Sequence, residues 1–222
     1  PDNLRFPLFI RKGRDHFGKI TPLIHDHTNL KDYLETIRRE GYKNSEILIT
    51  EFVDTADEQG VYRKYSAFLL GDKVIPRHIF FSKNWMVKGA DLVSRNFLDE
   101  EINYLKNNPH EKEILRVFQL AGMQYGRIDY SVKDGRLVVW EINPNPMIAS
   151  SSSLKKPDRK PAHNWFVSRF CQAFIQLDTV TDQKKTGASP INRLPVREIQ
   201  NIFPFSGFTY FISNGFQIGR AS

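Results

Sequence analysis

Residues 126–146, GRIDYSVKDGRLVVWEINPNP, constrain what this 222-residue chain can fold into more than any other stretch. Two apolar runs meet at Asp134-Gly135, a dipeptide that accepts the positive φ of a tight turn, so they read as a β-hairpin. Facing side chains on adjacent strands come within about 5 Å of each other. Pairing about the turn sets Tyr130 or Asp129 near Val139 to Glu141, which puts two carboxylates within reach of one ion. Asn143, two residues beyond Glu141, shares its face if the strand continues. Two carboxylates and an amide oxygen make a hard, all-oxygen set of the kind that suits Mg²⁺ or Mn²⁺, and magnesium completes its octahedron with water and phosphates. An Asp and a Glu on an arbitrary hairpin would more often face solvent, paired with neighbours such as Arg127 or Arg136. Here the order of the residues favours a metal-nucleotide site.

The rest of the chain supplies mixed elements. FPLFIRKGRDHFGKITPLIHD reads as a hairpin, Leu8 to Ile10 against Ile20 to Ile24, around a polar tip. Asn29 is placed to cap a helix whose apolar face is Leu30, Tyr33, Leu34 and Ile37, with Gly41 as its stop. SEILITEFVD reads as a buried strand leading into a polar loop, residues 54–60. Two strands follow about Gly71-Asp72. A helical pattern from Leu98 to Gly122 is divided at Asn108-Pro109 into two helices. A serine-rich loop precedes a last helix, NWFVSRFCQAFIQL. Strands with several antiparallel hairpins beside helices predict an α+β fold and not a doubly wound parallel sheet.

Composition removes several classes of function. With 40% hydrophobic residues the chain can build a core, and no run is long enough for a membrane span. One cysteine, Cys171, excludes a disulfide framework or a cysteine metal cage and reads as a buried thiol. The formal charge is +7, and residues 155–222 hold ten Lys and Arg against four Asp and Glu, so the surplus lies in the last third. Basic surfaces attract phosphates of any source. Trp165, Phe203 and Tyr210 could stack on bases there, but no nucleic-acid motif accompanies them, and the last helix more simply buries its aromatics.

Residues 126–146 are also similar to the carboxy-terminal signature of ATP-grasp enzymes, in particular the pattern of D-alanine:D-alanine ligase and of the glutamate-ligase and glutathione-synthetase branches. The resemblance implies two α+β lobes with antiparallel sheets clasping ATP. They would span residues 1–177, with a smaller ATP-binding lobe at 1–53 and a larger lobe with the metal site at 54–177. Residues 178–222 then form a linker and a basic, aromatic tail. It implies that Asp129, Glu141 and Asn143 hold the Mg²⁺ or Mn²⁺ ions that bridge the phosphates of ATP, and that Arg127 contacts the transferring phosphate. FPLFIRKG resembles the phosphate strand, with Arg11 where Lys is usual and Lys12 beside it, and residues 13–19 resemble the flap that closes over the phosphates. ILITEFVD resembles the hinge strand, where Glu51, Phe52 and Val53 would meet adenine and Asp54, Asp57 or Glu58 the ribose. Lys64, Arg77 and His78 become candidate cations to offset the charge of triphosphate and acyl phosphate, and Asn145 orients the loop after the metal ligands or touches substrate.

The activity so implied is ATP- and Mg-dependent joining of a small-molecule carboxylate to an amine through an acyl phosphate, in the cytoplasm and without nucleic acid or membrane partners. A nucleotide-binding or regulatory module without ligase activity is the alternative. Family members normally carry an amino-terminal substrate domain, and this chain begins almost directly on the phosphate strand, so either the chain is a piece of a longer protein or its partner domain lies elsewhere.

Overall fold

The computed structural model of the protein describes residues 4–13, 19–148 and 154–181. Most of the flap, the serine-rich loop and the tail with Phe203 and Tyr210 lie outside the described residues. The described chain divides into two compact units, within Pro1–Asp54 and within Thr55–Ile202. No helix among the described residues is long and apolar enough to cross a membrane.

In the first unit, β1 (Leu8–Lys12) pairs antiparallel with β2 (Ile47–Glu51), and α1 (His27–Arg39) packs Leu30 and Ile37 against Leu8, Ile10 and Ile24. Residues 20–24 return beside β1 as expected, but only as isolated bridges from Leu8 to Ile24 and from Arg11 to Lys19. The ladder cannot run on because Pro22 has no N–H to give, and the Ile10 N–H donates instead to the Thr21 hydroxyl at 3.0 Å. The helix cap is Asp26, whose Oδ1 accepts from the Asn29 N–H at 2.8 Å, so Asn29 lies inside the first turn and is not the cap. β2 is half-buried along its length and not fully buried, as befits a strand in a two-stranded sheet.

The second unit is a four-stranded antiparallel sheet in the order β4-β3-β5-β6, from β3 (Tyr62–Leu70), β4 (Lys73–Ser82), β5 (Tyr125–Lys133) and β6 (Arg136–Asn143). Both expected turns are present, and Asp134 and Gly135 have φ of 50° and 71°, the paired positive values of a two-residue hairpin turn. Between the hairpins run α2 (Arg95–Asn107) and α3 (Glu111–Leu120), separated by Asn108 in a left-handed cap. The last helix, α4 (Lys160–Thr181), begins after a short 3₁₀ turn at Pro157–Arg159.

One sheet face buries Ile79, Phe81, Tyr104 and Leu105, with Tyr65 and Trp165 packed against them. At the other end Phe68, Leu70 and Ile75 meet Phe166, Phe170 and Ala173 of α4. Cys171 is exposed, contrary to the expectation of a buried thiol. One residue turns a helix by about 100°, which carries it off the Phe166–Phe170–Ala173 stripe. Trp165 is spent in packing, with the Arg169 guanidinium 5.3 Å above its ring.

A buried polar chain ties α2 and α3 to the sheet. The Tyr104 hydroxyl donates to the Ser66 carbonyl at 2.9 Å and lies 3.1 Å from the Tyr130 hydroxyl, which lies 3.0 Å from His110 Nδ1. With the Tyr104 proton committed to Ser66, Tyr130 donates to Tyr104, and His110 Nδ1 must carry the proton it gives to Tyr130. Burial raises the Tyr104 and Tyr130 phenols above their usual range, so both stay protonated.

Gly126 begins the strand with φ of 152°, and a Cβ there would come 2.9 Å from the Asn143 carbonyl oxygen, 3.1 Å from Met123 and 3.3 Å from Phe118. Gly126→Ala is therefore expected to destabilise by about 1–3 kcal/mol, combining backbone strain with a clash. Gly135→Ala, which meets only open space, should cost about 1 kcal/mol from its φ alone. Urea unfolding of both variants checks the order, and equal midpoints would remove the close-approach argument.

Candidate functional site

The register of β5 and β6 runs from Lys133↔Arg136 to Tyr130↔Val139 and then shifts, so that Asp129 faces Glu141 and Arg127 faces Asn143. Trp140 is the extra residue of a β-bulge. Without it Asp129 would face Trp140, and alternation would turn Glu141 and Asn143 to the opposite face. The bulge thus gathers Arg127, Asp129, Glu141 and Asn143 on one side. Trp140 is held there too, its Nε1 donating to the Ser131 hydroxyl at 2.8 Å.

Asp129 is only 6% exposed, and a buried carboxylate needs partners. Its Oδ1 accepts from the Ser66 hydroxyl and from Arg127 Nε, both at 2.9 Å. Arg127 reaches Oδ2 at 3.3 Å, and Lys64 Nζ lies 3.7 Å from the same oxygen. Asn143 Oδ1 accepts from the Asn145 N–H at 2.9 Å, which ties the Asn-Pro-Asn turn to the end of β6. That oxygen keeps a second lone pair for a cation. Among the described residues no three His, Cys, Asp or Glu side chains group closely enough to hold a metal ion. The candidate set is therefore two carboxylates and one amide, and as hard oxygen donors on adjacent strands they fit a small divalent cation.

A second bulge shapes the cationic side. Ser66 pairs with His78 and Ala67 with Pro76, leaving Arg77 as the extra residue on β4. The His78 ring stacks on Phe80 at 3.9 Å, and the cationic groups of Lys64 and Arg159 lie 5.6 Å and 4.7 Å from the Phe80 ring. Arg77 sits over Phe68 and Phe166, at 5.7 Å and 5.9 Å, with no ion pair or hydrogen bond to a described residue. Burial lowers its pKa to about 10, helped by Arg127, and it stays charged at neutral pH. Burial, then Arg77, Arg159, Lys64 and Arg127, hold the His78 imidazole well below its usual range, so it is neutral.

Arg159 enters this face from the 3₁₀ turn, anchored by a bidentate contact to Glu101, 1% exposed on α2, with Nε to Oε2 at 3.0 Å. Glu101 also accepts from the Ile79 N–H at 3.3 Å, and burial raises its pKa against the pull of Arg159.

In the first unit, alternation separates the two basic candidates. Lys12 shares the face of Leu8 and Ile10 and lies 5.0 Å from the Tyr42 ring in the core with α1, whereas Arg11 points the other way. Glu51 Oε1 accepts from the Arg5 N–H at 3.2 Å, while its buried Oε2 has no hydrogen-bond partner among the described residues. The Phe52 N–H is spent on the Pro7 carbonyl at 2.9 Å, and Val53 is buried. Of the three ribose candidates, Asp57 braces its own loop: it pairs with Arg63 at 2.6 Å and accepts from the Gln59 and Val61 N–H groups, while Asp54 and Glu58 are exposed.

Sequence reasoning missed Ser66, Glu101 and Arg159. Ser66 could have been found by alternation from Lys64 on β3. Arg159 is one of four basic residues in KKPDRK, where only Pro157 hints at the turn that aims it.

No family model matches the chain, and no curated protein does. Among solved structures it is similar to the D-alanine–D-alanine ligase of Bacillus anthracis complexed with ATP, at 18% identity and a TM-score of 0.44, over 81% of this chain and 56% of that one. It is similar also to the L-amino acid ligase of Bacillus licheniformis, at 16% identity and a TM-score of 0.38, over 64% and 32% of the two chains. A third is the D-alanine–D-alanine ligase of Helicobacter pylori, at 20% identity and a TM-score of 0.35, over 75% and 50%. The chain thus spans about half the length of these D-alanine–D-alanine ligases.

Proposed function

We propose that the protein is an ATP-grasp enzyme that uses ATP and a divalent cation to activate a carboxylate and join it to an amine. The observation that carries the reading is the Trp140 bulge, which sets Asp129 opposite Glu141 and Arg127 opposite Asn143 on one face. In this reading Asp129, Glu141 and Asn143 hold Mg²⁺, which when bound would neutralise phosphate charge and polarise the transferring phosphoryl group.

The chain's own residues do the rest by position and charge. Arg127 and Lys64, already on Asp129, are placed to turn toward phosphate oxygens as that carboxylate takes up a cation. No side-chain nucleophile is needed. A substrate carboxylate oxygen displaces ADP from the γ-phosphorus, an amine then attacks the acyl carbon, and phosphate leaves as the amine loses its proton. In the amino-terminal unit Arg11, on the face of β1 turned away from the core with α1, is the candidate phosphate contact.

Asp129→Asn, Glu141→Gln and Asn143→Ala should each lower magnesium-dependent ADP formation with mixed amino acids by on the order of 10²-fold or more, with far-UV circular dichroism unchanged. Turnover retained in all three would remove the metal assignment. ATP binding without turnover in the unaltered chain would leave the nucleotide-binding module.

Ionisation gives a second expectation. The folded pKa of His78 lies well below the unfolded value of about 6.5. As pH falls through that value the unfolded chain binds a proton that the folded chain refuses, so stability declines. Burial depresses His110 and His163 in the same direction. Bound polyphosphate opposes the cations around His78 and should lessen the decline. Urea midpoints from about pH 7.5 to about pH 5, with and without ATP, test this; a decline unchanged in His78→Gln would remove His78 from the account.

A further inference from the structure

Two hydrogen-bond donors, one on β4 and one on α4, have no acceptor among the described residues. Arg77 has two aromatic rings beneath it and no hydrogen-bonded anion among the described residues. His163, in the first turn of α4, is 9% exposed, and its Nε2 has no hydrogen-bond partner there. The two meet at one ring: Arg77 lies 5.9 Å from Phe166 and the His163 ring 6.4 Å from it. A buried polar atom without a partner and a half-buried guanidinium without an acceptor each cost free energy in the folded protein.

The acids nearby are already committed. Asp129 is held by Ser66, Arg127 and Lys64, and Glu101 by Arg159. His78 and His163 are kept neutral by burial and by Arg77 and Arg159, so each offers an N–H without adding charge. In the order β4-β3-β5 the strand of Arg77 lies two spacings from that of Asp129, or roughly 10 Å. That backbone separation is within the span of a small substrate, and the Arg77 side chain, which also feels the charges of Arg127 and Asp129, extends across part of it.

The geometry points to an oxyanion subsite formed by Arg77 and His163, flanked by His78 and Arg159, that takes a second acid group of the carboxylate substrate. It rests on the ligase reading and narrows it: the substrate carries a carboxylate or phosphate besides the carboxyl that is activated. A guanidinium fork matches either group with two parallel hydrogen bonds, and an imidazole N–H supplies a third.

The test uses the full chain without nucleotide or metal, titrated with succinate and separately with inorganic phosphate while the histidine imidazole resonances are followed by NMR. The expected result is a saturable shift of His163 and His78 at millimolar anion. Arg77→Gln should weaken it about tenfold or more, with a thermal midpoint equal to or above that of the unaltered chain, because an unpaired guanidinium is gone. His163→Phe keeps the ring volume, removes the donor and should weaken binding in the same way, which serves if Arg77→Gln does not fold. Absence of a saturable shift, or affinities unchanged in both variants, overturns the proposal.

The source of the anion is decided by adding Mg-ADP. Succinate binding unchanged by it supports the second-substrate assignment, whereas displacement of succinate would assign Arg77 to a nucleotide phosphate and overturn it. Loss of the ligase reading shows separately, as absence of ADP formation, because the first titration involves neither metal nor nucleotide.

Discussion

Asp129 is the point on which the second unit's charged face is built. Its carboxylate is buried in the middle of a sheet and is tolerable there only because Ser66, Arg127 and Lys64 meet it from two strands. Each partner in turn owes its direction to register. Ser66 lies opposite Asp129, Lys64 one alternation away, and Arg127 one alternation along β5. Two bulges then adjust what alternation alone would give, Trp140 bringing Glu141 and Asn143 to this face and Arg77 joining His78 on it. A bulge changes the number of residues on one strand by one, and here that single residue decides whether ligand-type oxygens lie together or on opposite sides.

The hairpins were legible because their turns are written locally. Asp134-Gly135 needs positive φ at both positions, and few dipeptides supply it. The division of α2 from α3 at Asn108-Pro109 was legible for a similar reason, since proline disfavours helix in the residue before it. The bulges were not, because nothing in GRLVVWEIN marks Trp140 as the residue that drops out of register. The hairpin reading reached Asp129 near Glu141 only by leaving a range open. The helix cap was misread because Asp26 and Asn29 are both good caps, and Asp26 follows closely on Ile24, which is held against Leu8, a tertiary matter. Arg159 and Glu101 were out of reach for the same reason, being 58 residues apart in sequence and joined only by packing.

The face so built is held in an electrically unbalanced state. Arg77, Arg127, Arg159 and Lys64 gather around a histidine kept neutral, and the acids present satisfy only some of them. A fold selected for stability alone would have little reason to keep Arg77 over two phenylalanine rings with no acceptor for its donors among the described residues. Such an arrangement stores interaction energy that an incoming anion can release, which is how preorganised polar sites favour charge that arrives later over charge already there.

Ser66 serves both sides of the sheet at once. Its hydroxyl holds Asp129 on the charged face, while its carbonyl accepts the Tyr104 proton from the helical face, the start of a chain that runs through Tyr130 to His110. The sheet is a single layer there, so a change in how α2 seats Tyr104 moves the backbone that aims Asp129. Residues on α2 and α3 that touch no ligand are thus not free to drift independently of the charged face. Among descendants of this sequence, changes at Tyr104 or His110 should be accepted only alongside compensating changes on β3 or β5, a form of epistasis written into one backbone carbonyl.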